Sequence, residues 1–155
     1  KNDTDGIEFP EDLILKIDDL EIDAIVVGAL RSDYQKTRIE RMCERLNLIS
    51  FCPLWHHRPE GHMESLVEHG FDVRIVSVST DGLEEQWLGV KIDHKSLDSL
   101  SKISTKFRFN LDGEGGEFET IVVDAPHMKR SIAVSGYSEW NGNRGIWVIN
   151  SAKLS

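Results

Sequence analysis

The chain is poor in cysteine, in basic charge and in long apolar runs. Only Cys43 and Cys52 occur among its 155 residues. Each lies in an apolar pattern, which predicts two reduced core thiols and not a disulfide framework. No apolar stretch approaches the roughly 20 residues that a membrane-spanning helix needs. No signal-peptide pattern is found, so a cytoplasmic setting without membrane contact is expected. Lys and Arg number 18 against 27 Asp and Glu, a formal charge of −9. That balance argues against direct nucleic-acid binding through net charge. There is no internal repeat and no low-complexity segment. His56, His57 and His62, with Glu60 and Glu64, do not follow a familiar zinc spacing, and Pro59 and Gly61 interrupt them. A surface turn is expected there, and no metal ligand is assigned.

What the sequence does have is an ordinary apolar fraction of 39%, enough for a buried core. Pro10, Glu11 and Asp12 read as a helix start, with Leu13, Ile14 and Ile17 as its apolar face. Residues 22–30, centred on Ala24-Ile25-Val26-Val27, read as a strand buried on both faces, as in parallel sheets. Ser32 followed by Gln35 is a capping-box pattern, so a helix is expected from Asp33 to about Leu46. Ile39, Met42, Cys43 and Leu46 form its buried stripe, and Arg38, Arg41 and Arg45 a neighbouring basic face. Residues 49–52 predict a short strand.

Met63, Leu66 and Val67 predict a short helix stopped by Gly70. Residues 72–80 predict a strand, and Asp81-Gly82 a turn. Trp87-Leu88-Gly89 is expected to pack on the sheet, or else to wall a base. Asp93 caps an expected helix over 94–106. Residues 131–139 and 146–151, around Asn141-Gly142-Asn143, predict a terminal hairpin.

The stretch with most chemistry in it is Gly113-Glu114-Gly115-Gly116-Glu117-Phe118-Glu119-Thr120, running into the apolar Ile121-Val122-Val123-Asp124. Glycines permit φ > 0 and close approach of a ligand to the backbone. Clustered carboxylates repel unless water, a cation or a substrate offsets them. The residue types alone fit an acidic surface loop as well as a site.

Taken in order, these segments resemble the diphthine–ammonia ligases, members of the N-type ATP pyrophosphatases. The resemblance rests on Val26-Val27-Gly28-Ala29-Leu30 with Ser32-Asp33-Tyr34-Gln35-Lys36-Thr37-Arg38-Ile39-Glu40, on Pro53-Leu54-Trp55, on Trp87-Leu88-Gly89, and on the glycine–glutamate stretch through Val123-Asp124-Ala125-Pro126. It implies an α/β fold: a partial adenine-nucleotide α-hydrolase-like (Rossmann-like) parallel sheet over 1–53. A smaller α/β substrate subdomain with a terminal hairpin would follow over 54–155. It implies ATP with Mg2+, ammonium, and translation elongation factor 2 as protein substrate. Diphthine, a modified histidine of that factor, would be adenylated on its carboxylate and then amidated.

Residue by residue, the resemblance implies that Gly28, Ala29 and Ser32 lie at the nucleotide. Tyr34, Gln35 and Arg38 would line the cleft with Gly115, Gly116 and Thr120. Glu114, Glu117 and Glu119 would carry the chemistry, holding ammonium, taking a proton or pairing with diphthine's trimethylammonium. The family's Ser-Gly-Gly-x-Asp-Ser pyrophosphate loop is absent from these residues, so the chain is expected to be an incomplete part of the enzyme. Apolar edges left open would let it associate with itself. Two other readings stand beside this one: a non-catalytic module that docks a translation factor or another subunit, and a different N-type ATP pyrophosphatase such as a tRNA-modifying enzyme.

Overall fold

A computed structural model describes residues 20–155. The helix expected from Pro10 lies outside them. The chain divides into two compact units after His56.

In the first unit, β1 (Ala24–Val26) runs parallel to β2 (Ile49–Phe51), and α1 (Asp33–Arg45) connects them. Ser32 caps α1, its Oγ accepting the Gln35 N–H at 3.3 Å. Met42 and Cys43 on α1 form a small core with Ile25, Ile39, Leu46 and Leu48. Both cysteines are free thiols, and burial pushes the Cys43 thiol up. The strand expected over 22–30 as buried on both faces is shorter and covered on one face only. Ala24 pairs with Ile49 and Val26 with Phe51, which puts these four on one side of the two-stranded sheet. Val26, Ile49 and Phe51 on that side are 71%, 67% and 57% exposed. The reason is that α1 packs on the Ile25 side, and no described strand extends the sheet beyond β2.

The second unit is a four-stranded antiparallel sheet in the order β4-β3-β6-β5, with two helices on one face. Helix α2 (Pro59–Glu68) starts on Pro59, whose missing N–H costs nothing in a first turn. The turn expected at 56–62 therefore gives way to a helix at its second half. Strand β3 (Asp72–Val78) follows, then a 3-10 turn (Glu85–Trp87), then α3 (His94–Phe107). Asp93 caps α3 in a full box: its Oδ1 accepts the Ser96 N–H at 2.8 Å, and Ser96 Oγ accepts the Asp93 N–H at 2.8 Å.

Strands β4 (Phe118–Asp124), β5 (Ile132–Asn141) and β6 (Arg144–Leu154) complete the sheet. The hairpin is longer than the sequence suggested: Gly142 (φ 66°) at the first central position makes a two-residue turn, and the strands pair from Asn141–Arg144 to Ile132–Leu154 with one register shift between Ser135 and Gly136. Its second strand, β6, enters the sheet beside β3.

Ile75, Leu83, Ile92, Leu100 and Val78 are the most deeply buried side chains of this unit. Met63 from α2, Leu97 and Leu100 from α3 and Phe118 from β4 join them in one core. Trp87-Leu88-Gly89 packs here: Trp87 and Leu88 are buried, and the Gly89 N–H donates to the Ile75 carbonyl at 2.8 Å. A Cβ on Gly89 would stand 2.9 Å from the Trp147 ring, so the glycine is needed for that indole to lie against the turn.

Candidate functional site

Between α3 and β4 the chain must reverse while carrying three carboxylates, Asp112, Glu114 and Glu117, with Glu119 just inside β4. It does so by turning one of them inward. Glu117 Oε1 accepts the backbone N–H and the side-chain amide of Asn110 at 2.9 and 3.0 Å, and Oε2 accepts the Gly115 N–H at 2.8 Å. Two backbone bonds close the turns inside this clamp, Gly113 N–H to the Asn110 carbonyl and Gly116 N–H to the Gly113 carbonyl. The Glu114 N–H donates to Asp112 Oδ1 at 3.3 Å.

The glycines follow from this geometry. Gly113 sits at φ 72°, and a Cβ there would come within 2.8 Å of the Phe118 carbonyl. A Cβ on Gly115 would meet the Glu117 carboxylate at 2.5 Å, so the clamp closes only over a bare backbone.

The loop is tied to the carboxyl end of β3. Ser79 N–H donates to the Glu117 carbonyl at 2.9 Å, and Ser79 Oγ donates to the Gly116 carbonyl at 2.5 Å. On the other side of the same strand end lies a cleft of about 660 Å³. Ser77, Ser79, Glu139, Asn141, Arg144 and Ile146 line it. The strand registers order its floor. Glu119 pairs with Ser77, Ser77 with Ile146, and Ile146 with Glu139, a row across all four strands. Val78, Phe118 and Gly145, one residue along, belong to the buried side, so the row occupies the face away from the helices. Thr120, opposite Ile75, is exposed on the edge strand.

The expected residues thus separate by role. Glu117 shapes the loop. Gly115, Gly116 and Glu119 are exposed, and Glu114 is half-buried. Sequence reasoning missed Ser79 and Asn110, which hold the loop, and Tyr137, Glu139 and Arg144 beside the cleft. Tyr137 and Glu139 were accessible through the two-residue period of a half-buried strand. Ser79 and Asn110 left no such signal, because their role depends on contacts made across the fold.

The first unit holds the other expected group at the carboxyl ends of β1 and β2, the usual ligand edge of a parallel sheet. Gly28 is exposed and Ala29 buried there. The His56 N–H donates to the Leu30 carbonyl at 2.8 Å, which draws the segment after β2 against the segment after β1. Trp55 stacks on His56 with centroids 4.7 Å apart, and Lys36 Nζ lies 5.2 Å from the Trp55 ring centroid. Hydrogen bonding to Glu40 raises the Lys36 pKa and keeps the ammonium charged. Arg38 reaches back along α1 to Tyr34, bonding its hydroxyl and lying 5.1 Å from its ring centroid. Gln35 is exposed beside them. This edge offers cations, an indole and the α1 N-terminus to an anionic, aromatic ligand. Among the described residues no group of three or more His, Cys, Asp or Glu side chains could hold a metal ion.

A helix-linked parallel strand pair is thus followed by an α/β unit with a clamped glycine–glutamate loop. The chain belongs to the diphthamide synthase family: residues 58–154 match the diphthamide synthase C-terminal domain and residues 2–50 its N-terminal domain. It is similar to the diphthine–ammonia ligase of Bos taurus, 36% identical over 115 residues, which is 74% of this chain and 43% of that protein. The Danio rerio ligase is 34% identical over 136 residues, 84% of this chain and 52% of that protein. The Saccharomyces cerevisiae ligase is 37% identical over 129 residues, 74% of this chain and 18% of that protein. The chain therefore spans about half, or less, of the length of these relatives.

Proposed function

We propose that this chain forms part of an ATP-dependent ligase that converts diphthine on translation elongation factor 2 to diphthamide, with ammonium as the nitrogen donor. The observation that carries this reading is the clamped loop. Its Glu117 carboxylate is spent on shape, and Glu114 and Glu119 flank it in sequence. A fold that needed only a turn between α3 and β4 would not need Gly115 bare so that Glu117 could close over it.

A carboxylate is a poor acyl donor because its leaving group would be oxide. ATP, which travels with Mg2+, supplies the activation: a carboxylate oxygen bonds to the α-phosphorus and pyrophosphate leaves. Ammonia nitrogen then bonds to the acyl carbon, and AMP departs with the C–O electron pair. The chain's own contribution is to hold ammonium, accept its proton and exclude water. Glu114 or Glu119 takes that proton. Gly115, Gly116 and Thr120 admit the diphthine side chain to the backbone. Gly28, Ala29 and Ser32 would hold the nucleotide, and Tyr34, Gln35 and Arg38 would contact the substrate. The setting is the cytoplasm, where elongation factor 2 works. No described helix is long and apolar enough to cross a membrane.

The test supplies the chain with a family member's Ser-Gly-Gly-x-Asp-Ser segment, ATP, Mg2+, ammonium and diphthine-bearing elongation factor 2, and measures AMP and amide. AMP forms in proportion to amide. Glu114→Gln lowers amidation by about a hundredfold, the scale of general acid–base assistance, and leaves nucleotide binding unchanged. No AMP with the wild-type chain leaves the docking-module reading instead.

A further inference from the structure

The cleft beside β3 has a lining that the loop chemistry does not use. Its floor is Ser77 and Ile146, and Ile146 is 49% exposed, a large aliphatic side chain facing solvent in mid-sheet. One wall is Glu139. The Tyr137 hydroxyl donates to Glu139 Oε1 at 3.1 Å, which directs the carboxylate along β5. The Tyr137 ring lies on the same face, two residues along β5, and is 51% exposed. Arg144, two residues before Ile146 on β6, lines the cleft at the end away from Tyr137. No hydrogen bond or ion pair engages the Arg144 guanidinium among the described residues. At the far end of the strand row, Glu119 likewise has none.

This combination fits one kind of ligand. A metal ion or a bare ammonium would ask for several hard oxygens and no aliphatic floor. A simple anion would be repelled by Glu139. A quaternary ammonium carries its charge on methyl groups that cannot donate a hydrogen bond. Such a group binds to apolar and aromatic surface with a fixed carboxylate nearby. If a carboxylate sits on the carbon next to it, a cation farther along the cleft completes the match.

We propose that the cleft lined by Ser77, Glu139, Arg144 and Ile146, with Tyr137 beside it, binds the trimethylammonium-bearing, zwitterionic end of the protein substrate's side chain. Glu139 and the Tyr137 ring take the cation, and Arg144 faces the carboxylate. This rests on the ligase reading for the identity of the substrate, and it assigns recognition to residues that the glycine–glutamate loop does not contain. The strand row places Glu119 on the same face, at the far edge of the sheet from Glu139.

The experiment uses the 155-residue chain and a small probe, an Nα,Nα,Nα-trimethyl amino acid, titrated by NMR with Gly145, Ile146 and the Trp140 indole as reporters. The uncharged tert-butyl isostere is titrated beside it. Saturable shifts at these reporters are expected with the trimethyl probe. Glu139→Gln, which keeps an acceptor for Tyr137, weakens binding about three- to tenfold, the range of one exposed charge contact. Tyr137→Leu does the same, and the isostere binds no better than the Glu139→Gln variant binds the probe. Equal binding by wild type and Glu139→Gln, equal binding of the isostere, or no shifts at all overturns the proposal. The ligase reading is separable. In the amidation assay, Glu139→Gln raises KM for elongation factor 2 with little change in kcat. Amidation with an unaltered KM sinks the cleft and spares the ligase, whereas probe binding without any AMP sinks the ligase and leaves the cleft a methylammonium site.

Discussion

Glu117 accepts three N–H donors from its own loop. Hydrogen bonds to a charged acceptor are worth about 1.5–3 kcal/mol each when well formed, and solvent at this half-exposed loop lowers that. Glu117→Ala is therefore expected to destabilise the second unit by about 1–3 kcal/mol in chemical denaturation. Amide exchange in residues 110–116 should quicken more than in the strands. Gly113→Ala should cost at least about 1 kcal/mol, because it adds a left-handed alanine to a contact with the Phe118 carbonyl. Gly115→Ala pushes only on the flexible Glu117 carboxylate, so it should loosen the loop and spare global stability. The glycine spacing marks this loop in the sequence. Which glutamate turns inward is not marked, because Glu114 and Glu117 have the same chemistry and differ only in what the folded chain brings near them.

Helix α3 shows what a local signal can deliver. Asp93 at its N-cap was legible, since the cap depends on residues three apart. The Ser96 N–H, and after it the Ser96 hydroxyl, hold the Asp93 carboxyl below the usual carboxylate range. A depressed folded pKa contributes stability that is complete above the unfolded value of 3.8 and is lost as pH falls through the folded value. Asp93→Asn keeps an acceptor without the charge. Wild type should exceed this variant in stability at pH 6, and the difference should shrink as pH drops below 3.8, followed by circular dichroism in urea at both pH values. Strand β1 shows the opposite case. Its apolar run reads as doubly buried, but burial is a property of neighbours, and only α1 and β2 supply them. Pro59 reads as an interruption in the sequence because proline alone does not say whether a helix ends or begins at it.

Across the whole molecule, two levels of organisation differ in how much sequence could say. The division into a parallel and an antiparallel part follows from an α1-linked strand pair and a Gly-Asn hairpin turn, both local. The insertion of β6 between β3 and β5 does not, since it is decided by pairings far apart in the chain. The open face of the first unit carries a prediction of its own. Val26, Ile49 and Phe51 side by side should cause reversible self-association that rises with protein concentration in sedimentation velocity. Val26→Thr with Phe51→Ser should shift the chain toward monomer, and an unchanged profile would remove this face as the cause.

The interior position of β6 also bears on how the protein is made. The ribosome delivers Arg144–Leu154 after every other strand of that sheet. At about 5–20 residues per second, β3 waits several seconds for its neighbour. During that interval β3 is paired with β4 only, and at Ser77 and Val78 its other edge has no strand beside it. The nascent chain is then a substrate for any chaperone that reads bare strand edges. The cleft at Ser77 and Ile146 comes into being only with the arrival of that final strand.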